Sequence, residues 1–235
     1  MNAPLFLLMD IDDTLIDFCR AEREAIGMTA AHFGIADTDR LASVFHEIND
    51  CVWSELERGL LTRAALGKER ALRVFDAMGM TEPPDPIGFD TYYRTCLSGV
   101  YPLFDGAIDF LRRSVGRHTV CLISNATARV QIPRLQGSGI LPYVQTVFLS
   151  ELIGHEKPQR EFFEYVADFI PDFDPARAVV IGNSPDADIA GATTMGWKSI
   201  LFDAHHAIGR QRCTADGYAD SYAQVERILD EWIRE

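Results

Sequence analysis

The sequence lacks the cysteine pattern of a disulfide-rich or zinc-binding protein. Its 235 residues include five cysteines, an odd number, and no two of them have CxxC spacing. A disulfide framework or a structural zinc site is therefore not expected. The cysteine usage predicts a reduced, cytoplasmic protein.

Long apolar runs are also missing. The run at residues 5–9 is too short to cross a bilayer, and no later run approaches that length. Residues 5–9 also lack a preceding basic region and are followed by acidic residues, unlike a signal peptide. We therefore expect no membrane partner.

Basic residues are outnumbered by acidic ones. The 22 lysines and arginines face 35 aspartates and glutamates, which gives a formal net charge of −13. A general nucleic-acid binder would show a basic patch, so a nucleic-acid polymer is not predicted as a partner. An acidic protein can still bind a small phosphate where a metal cation and a lysine reverse the local field.

Short apolar runs alternate with helical patterns through most of the chain. Such runs are typical of strands buried on both faces of a parallel sheet. Together they predict an α/β fold with a doubly wound, mainly parallel sheet. The predicted strands cover about 5–10, 119–123, 146–149, 178–181 and 198–202, and the helical patterns lie near 107–111, 159–169, 188–195 and 221–233.

The stretch from about residue 17 to residue 98 has a different character. It has no clear strand pattern, and its helical patterns are separated by glycines and by a proline cluster at 83–86. We therefore predict a core of residues 1–16 plus 100–235 and an all-helical domain of residues 17–99. The four helical patterns cover 20–33, 39–56, 62–78 and 89–97.

Four polar clusters each come just after an apolar run. They are DIDDT at 10–14, Ser124–Asn125, Lys157–Pro158 and GNSPDAD at 182–188. Ligands of open α/β sheets bind outside the carboxyl ends of the strands. The four clusters are therefore expected to converge in space.

The first cluster places Asp10 and Asp12 two residues apart. Neighbouring carboxylates repel unless a cation binds them or one is protonated, which suits a nucleophile, a proton donor and a magnesium ligand. A solvated turn is the simpler alternative. A calcium-binding EF-hand loop is excluded because its sixth and twelfth positions would be Leu15 and Ala21 instead of glycine and glutamate.

The ordered set of clusters resembles the motifs of the haloacid dehalogenase (HAD) superfamily. The resemblance covers essentially the whole chain and implies that the helical insert is a cap domain. Dehalogenases lack an acid at the position of Asp12, so the resemblance is to the phosphatase branch. Residues 201–206 and the sequence around Trp53 are also similar to bacterial nucleoside 5′-monophosphate phosphatases.

The resemblance implies a role for each residue of the clusters. Asp10 would attack phosphorus, and Asp12 would protonate the leaving group and then activate water. Lys157 would neutralise charge on the phosphoryl group. The phosphate-binding residues implied are Thr14, Ser124, Asn125 and Lys157.

Magnesium is the cofactor that the resemblance implies. Its ligands would be Asp10, the main-chain carbonyl of Asp12 and a residue of the fourth cluster. The position usually held by a ligating aspartate is Asn183, whose amide oxygen brings no formal charge. We therefore predict weaker magnesium binding than in an aspartate-bearing relative, with Asp188 and Asp186 helping from nearby.

The helical insert would select the substrate by shape. The candidate contacts are Phe18, Arg20, Trp53 and Arg63. Trp53 could instead pack between helices, and Arg20 could begin a solvated helix face. Two histidines, at 205 and 206, could reach the rim of the site but have no second pair of ligands for zinc.

These inferences predict a magnesium-dependent phosphomonoesterase acting on a small phosphorylated metabolite, with a nucleoside 5′-monophosphate as the candidate substrate. The reaction would pass through an aspartyl-phosphate, in a monomer or homodimer. Two alternatives stay open: a phosphomutase of the same superfamily, and a low-activity protein that binds phosphorylated metabolites.

Overall fold

The computed structural model describes residues 4–208 and 214–234, and the chain divides into two compact units. The first unit comprises Met1–Asp17, Leu103–Ala128 and Ser138–Glu235, and the second comprises Phe18–Pro102 and Arg129–Gly137. The first unit includes Asp17, which was predicted to lie in the helical domain, and the second unit includes residues 100–102 and Arg129–Gly137, which were predicted to lie in the core.

The first unit contains a parallel sheet of six strands in the order β3-β2-β1-β4-β5-β6. Every neighbouring pair of strands is parallel, so all the carboxyl ends lie along one edge. The predicted doubly wound α/β fold is therefore confirmed. The strands are β1 (Phe6–Met9), β2 (Thr119–Ser124), β3 (Thr146–Leu149), β4 (Ala178–Gly182), β5 (Lys198–Phe202) and β6 (Gly217–Ala219).

The central strands are apolar on both faces because helices cover both sides of the sheet. Every residue of β1 and of β4 is buried. On one face, Phe6 and Leu8 of β1 belong to a cluster with Phe162 and Phe163. Continuous burial explains why these strands appear in the sequence as unbroken apolar runs.

Helices of the first unit follow or precede the strands they cover. Tyr222 of the last helix stacks on Phe110 and lies 5.0 Å from the ring centroid of Phe202 on β5. Gly196 ends the helix before β5 in the left-handed conformation, with φ of 69°, which suits glycine. The helices are α5 (Ala107–Ser114), α7 (Ser150–Ile153), α8 (Arg160–Phe169), α9 (Ala190–Met195) and α10 (Tyr222–Arg234).

The second unit is helical, and its helices begin and end at recognisable caps. The side chain of Asp85 accepts a hydrogen bond from Gly88 N and precedes Pro86 at the first helical position. Gly79 ends the third helix with φ of 69°. Its helices are α1 (Phe18–Phe33), α2 (Thr38–Glu57), α3 (Arg63–Met78) and α4 (Pro86–Ser98), and α6 (Ala128–Ser138) lies almost wholly in this unit.

A chain of buried polar side chains joins the first four helices of the second unit. Asn49 of α2 donates to Glu22 of α1 at 2.7 Å and accepts from Arg70 of α3 at 2.6 Å. Arg70 also pairs with Asp90 of α4. Since each charge has a partner, the network is compatible with burial.

Several elements were not predicted from the sequence, among them the short helix α7. Helix α6 contains Pro133, and the strand β6 has only three residues. Among the described cysteines, Cys19, Cys51, Cys96 and Cys121 are free thiols, and Cys213 lies outside the described residues. No helix within residues 4–208 and 214–234 has the length and apolar character needed to cross a membrane.

Candidate active site

The carboxyl edge of the sheet brings all four clusters into direct contact, with Lys157 touching each of the other three. Lys157 Nζ donates to Asp10 Oδ1 at 2.6 Å and to Asp188 Oδ1 at 2.7 Å. A longer contact of 3.4 Å joins the same nitrogen to the carbonyl oxygen of Ile123 on β2. One ammonium group therefore links the residue that follows β1, a residue of β2 and a residue of the turn after β4.

Asp10 lies at the centre of this edge because its strand lies between β2 and β4. Its backbone N–H donates to the carbonyl of Ile181 on β4 at 2.8 Å, which extends the strand pairing by one residue. Its side chain is buried, with 7% of the residue exposed. The sheet therefore holds this carboxylate in a fixed place.

The buried cluster has more acidic groups than basic ones. Two carboxylates, Asp10 and Asp188, share one ammonium group, and all three side chains are nearly inaccessible to solvent. Burial raises the pKa of Asp10 to about 8; the Lys157 ammonium opposes this rise, and Asp188 and Asp12 add to it. A cation placed here would favour the ionised form of Asp10.

Lys157 remains a cation in this setting. Burial favours its neutral form, but the carboxylates of Asp10 and Asp188 outweigh that effect and raise the pKa of its ammonium group. The site therefore contains one fixed positive charge facing two acidic side chains.

A tight turn follows Asp10 and holds the second aspartate. The N–H groups of Leu15 and Ile16 both donate to the carbonyl of Ile11, and Asp13 adopts a left-handed conformation with φ of 51°. Asp12 is half-buried and forms an isolated bridge with Ile16. Its carboxylate is near enough to influence Asp10 electrostatically.

Thr14 is buried at the end of the same turn. Its carbonyl accepts a hydrogen bond of 2.5 Å from the Tyr222 hydroxyl of α10. Its own Oγ1 has no hydrogen-bond partner among the residues that the structure describes. Contact of this hydroxyl with a phosphate stays a prediction.

Ser124 and Asn125 follow each other at the end of β2. Ser124 is buried, and its hydroxyl oxygen accepts a hydrogen bond from Ala126 N at 3.1 Å. The side-chain amide of Asn125 is engaged with the backbone of Lys157 through two hydrogen bonds of 2.9 Å. This contact was not foreseen from the sequence.

The fourth cluster forms a compact π-helical turn over Pro185–Ile189. The hydroxyl of Ser184 accepts from Ala187 N, and Ser184 N donates to Asp188 Oδ2 at 3.1 Å. Asp188 is fully buried, Asn183 is half-buried and Asp186 is exposed. The Asp188 carboxylate therefore joins Lys157 to the backbone of this turn.

The four predicted substrate contacts belong to the second unit. Phe18 is half-buried, with the guanidinium carbon of Arg134 5.8 Å from its ring centroid. Trp53 packs against a small apolar cluster, and Arg63 lies over its ring at 5.9 Å. Arg20 is exposed and pairs with a glutamate one turn along α1. Contact of all four with a substrate stays a prediction.

His205 lies beside the turn that carries the aspartates. Its Nε2 is 3.5 Å from Asp13 Oδ1 and from Asp17 Oδ1, and its ring contacts Phe104. Asp203, two residues before His205, is buried. Its carboxylate accepts hydrogen bonds from the N–H groups of Ala207 and Ile208. These contacts hold residues 203–208 together directly after β5.

The sequence matches a known protein family over most of its length. Residues 6–196 match the family model described as haloacid dehalogenase-like hydrolase. The chain therefore belongs to the haloacid dehalogenase-like hydrolase family, as the sequence motifs predicted. Since the match begins within β1 and ends after α9, it includes all four polar clusters.

Individual relatives match over most of their length. The chain is 31% identical to the HAD-hydrolase YfnB of Bacillus subtilis strain 168, over 81% of this chain and 80% of YfnB. It is 29% identical to the pyrimidine 5′-nucleotidase PynA of Streptococcus pneumoniae strain R6, over 98% of this chain and 97% of PynA. With the pyrimidine 5′-nucleotidase YjjG of Escherichia coli K12, identity is 20% over 95% of this chain and 97% of YjjG.

A crystal structure of YfnB is also similar. It superimposes with a TM-score of 0.90 at 27% identity, covering 97% of this chain and 99% of that chain, and it was determined bound to magnesium. Family and relatives together confirm the expectation of a HAD-type phosphatase.

Proposed function

We propose that the protein is a magnesium-dependent phosphomonoesterase that hydrolyses a nucleoside 5′-monophosphate through an aspartyl-phosphate intermediate. The observation that supports the chemistry best is the contact of Lys157 with both Asp10 and Asp188 at the carboxyl edge of the sheet. The substrate class is supported by PynA and YjjG, which are named pyrimidine 5′-nucleotidases.

The donor set fits magnesium. A hard cation prefers oxygen ligands. Each proposed ligand can offer one: the carboxylates of Asp10 and Asp188, the main-chain carbonyl of Asp12 and the amide oxygen of Asn183. Burial, with smaller contributions from Asp188 and Asp12, leaves Asp10 poorly ionised at neutral pH, and a divalent cation beside it would favour the carboxylate that the reaction needs. When bound, magnesium would neutralise negative charge on the phosphoryl group.

Each residue then has a step to perform. The Asp10 carboxylate attacks phosphorus, and the bond from phosphorus to the ester oxygen breaks. Asp12 gives a proton to the departing oxygen, then takes one from the water that cleaves the aspartyl-phosphate. Lys157 faces the charge that develops on the transferred group, while Ser124 and Thr14 offer hydroxyl donors.

The second unit is proposed to act as a cap that excludes water and selects the substrate. Phe18, Arg20, Trp53 and Arg63 are its candidate contacts. The ring of Trp53 and the guanidinium of Arg63 form the kind of surface on which a base can stack.

Phosphate release tests the proposal directly. The purified protein is assayed with magnesium against pyrimidine and purine nucleoside 5′-monophosphates, and in parallel with excess EDTA. Asp10→Asn should abolish turnover, and Asp109→Asn should keep it because Asp109 is exposed and pairs with Arg112. Turnover by Asp10→Asn equal to wild type would refute the mechanism.

A second candidate function follows from one residue. Asn183 replaces the charged ligand that the family pattern favours, which would suit a protein that binds phosphorylated metabolites with little turnover. Tight binding of a nucleoside 5′-monophosphate without phosphate release would support this alternative over the phosphatase.

A further inference from the structure

The side chain of Asn125 and the backbone of Lys157 form a closed pair of hydrogen bonds. Asn125 Nδ2 donates to the Lys157 carbonyl at 2.9 Å, and Lys157 N donates to Asn125 Oδ1 at 2.9 Å. Both backbone polar groups of the lysine are therefore satisfied by one side chain, 32 positions earlier in the sequence. We call this contact the Asn125–Lys157 amide pair.

The amide pair matters because Lys157 has no regular structure of its own. It lies between the end of α7 at Ile153 and the start of α8 at Arg160, in a segment with neither helix nor strand. Asn125, in contrast, directly follows β2, which pairs with β1 and β3. The amide pair connects the segment carrying the lysine to the central sheet.

The position of the Lys157 backbone determines where its ammonium group lies. Lys157 has a long side chain, and its Nζ lies within 2.7 Å of two carboxylate oxygens, Asp10 Oδ1 and Asp188 Oδ1. A backbone shift of about 1 Å at a catalytic group can reduce the rate by about 10²-fold. Loss of the backbone anchor would therefore misplace the positive charge relative to Asp10.

We propose that Asn125 is a positioning residue, which acts on the reaction by fixing the backbone of Lys157. The proposal rests on the proposed function, in which Lys157 faces the transferred phosphoryl group. It differs from the role of phosphate ligand that the sequence motif implied for Asn125, since the amide oxygen and one amide hydrogen are already used on Lys157.

A double-mutant cycle separates the two roles. Asn125→Ala and Lys157→Met are made singly and together, and hydrolysis of p-nitrophenyl phosphate with magnesium is measured. We expect Asn125→Ala to lower kcat by about 10²-fold in the wild type. In the Lys157→Met background, the same change should alter kcat by less than about twofold, since there is no ammonium group left to position.

Gln159→Ala is the matched control. Gln159 Oε1 accepts a hydrogen bond of 3.1 Å from Glu156 N, so it also anchors the segment around Lys157, but on the exposed side. It should keep kcat within about twofold of wild type. An equal loss in Gln159→Ala and Asn125→Ala would mean general loosening of the segment and would overturn the proposal.

Two further outcomes would also overturn it. One is a loss of activity on Asn125→Ala that is undiminished in Lys157→Met, which indicates direct contact of Asn125 with the substrate. The other is wild-type kcat in Asn125→Ala. Thermal unfolding is recorded for every variant, with Asn125→Ser and Lys157→Gln as replacements for a variant that does not fold.

The same cycle is run on the binding of orthovanadate, measured by calorimetry in the presence of magnesium. If the wild type hydrolyses no phosphomonoester but the vanadate cycle is non-additive, the proposed function fails and the positioning role stands. If turnover is present and both cycles are additive, the positioning role fails and the proposed function stands.

Discussion

Gly182 and Asp188 are so close that residue 182 has no room for a side chain. A Cβ atom at residue 182 would lie 2.2 Å from Asp188 Oδ2 and 2.3 Å from its Cγ. Because Asp188 is fully buried and holds Lys157, it cannot move aside without breaking that pair. The glycine that ends β4 is therefore required by packing at the candidate site.

Gly182→Ala should damage both activity and stability. The displaced Asp188 would release Lys157, which we expect to lower kcat by about 10²-fold, and overpacking should cost about 1–3 kcal/mol. Gly27→Ala is the control, since a Cβ there meets nothing within 4 Å in the interior of α1. That change should stabilise the protein by about 0.5–1 kcal/mol. Wild-type kinetics in Gly182→Ala would contradict the packing argument.

Asp10→Asn should be inactive and, in EDTA, more stable than wild type. The substitution removes one of two buried carboxylates that share a single ammonium group. A gain of about 1 kcal/mol corresponds to a melting temperature about 2–4 °C higher for a chain of this size. Differential scanning calorimetry measures it, with exposed Asp109→Asn expected to leave the transition unchanged. A lower melting temperature in Asp10→Asn would show that burying the second acidic group beside Lys157 does not destabilise the fold.

Asn183→Asp should strengthen magnesium binding. The change adds a formal negative charge to the donor set, and ligand charge count tunes the affinity of oxygen sites for divalent ions. We expect half-maximal activation at a magnesium concentration about tenfold lower than in wild type. At a given magnesium concentration, the rise in melting temperature caused by magnesium should be larger in Asn183→Asp than in wild type. An unchanged activation curve would remove residue 183 from the proposed ligands.

His118 should make the fold less stable in mild acid. Its Nδ1 accepts a hydrogen bond of 3.3 Å from Leu5 N, and burial, with the neighbouring Arg117, lowers its pKa despite the opposing effect of Asp230. A folded-state pKa below the unfolded value means that its stabilisation is present above about pH 6.5 and lost as the pH falls.

The measurement is urea denaturation between about pH 7.5 and about pH 5.5. His118→Asn keeps an acceptor near the position of Nδ1 but does not titrate. The free energy of unfolding should fall more steeply with acid in wild type than in His118→Asn. Parallel curves for the two proteins would be evidence against this assignment.

Arg70→Ala should strongly destabilise the second unit. It would leave the buried carboxylate of Asp90 without the partner on α3 and would remove the donor to Asn49. Breaking a buried ion pair from one side costs about 3–5 kcal/mol. Arg23→Ala, which breaks the exposed pair with Asp39, should cost less than about 1 kcal/mol. Chemical denaturation measures the free energy of unfolding of both variants. Equal decreases would mean that burial does not increase the cost of breaking the ion pair.

The features that the sequence predicted well are those with a strong local pattern. The runs that became β1 and β4 are apolar at every position because both faces of the sheet are covered. The acidic turn at 10–14 and Lys157 stood out by their position after such runs, and the family that their order indicated is the one whose model matches residues 6–196.

The features that were missed depend on tertiary context. Helix α6 contains Pro133 and Gly137, which weaken any helical pattern, although Thr127 before it and Gly139 after it are suitable flanking residues. Strand β6 is too short to show alternation. Likewise, nothing local indicates that the Asn125 amide bonds to Lys157, because the two are adjacent only in the folded chain.

The central position of β1 has a consequence during synthesis. Phe6 pairs with Thr119 on one side and with Ala178 on the other, so the first strand to be translated must wait for partners made much later. Such distant pairings slow folding because the intervening chain must be closed into loops first. A nascent chain that ends before residue 178 carries Asp10 without β4 beside it. The surroundings of Asp10 that the proposed reaction requires would therefore be complete only when most of the polypeptide has left the ribosome.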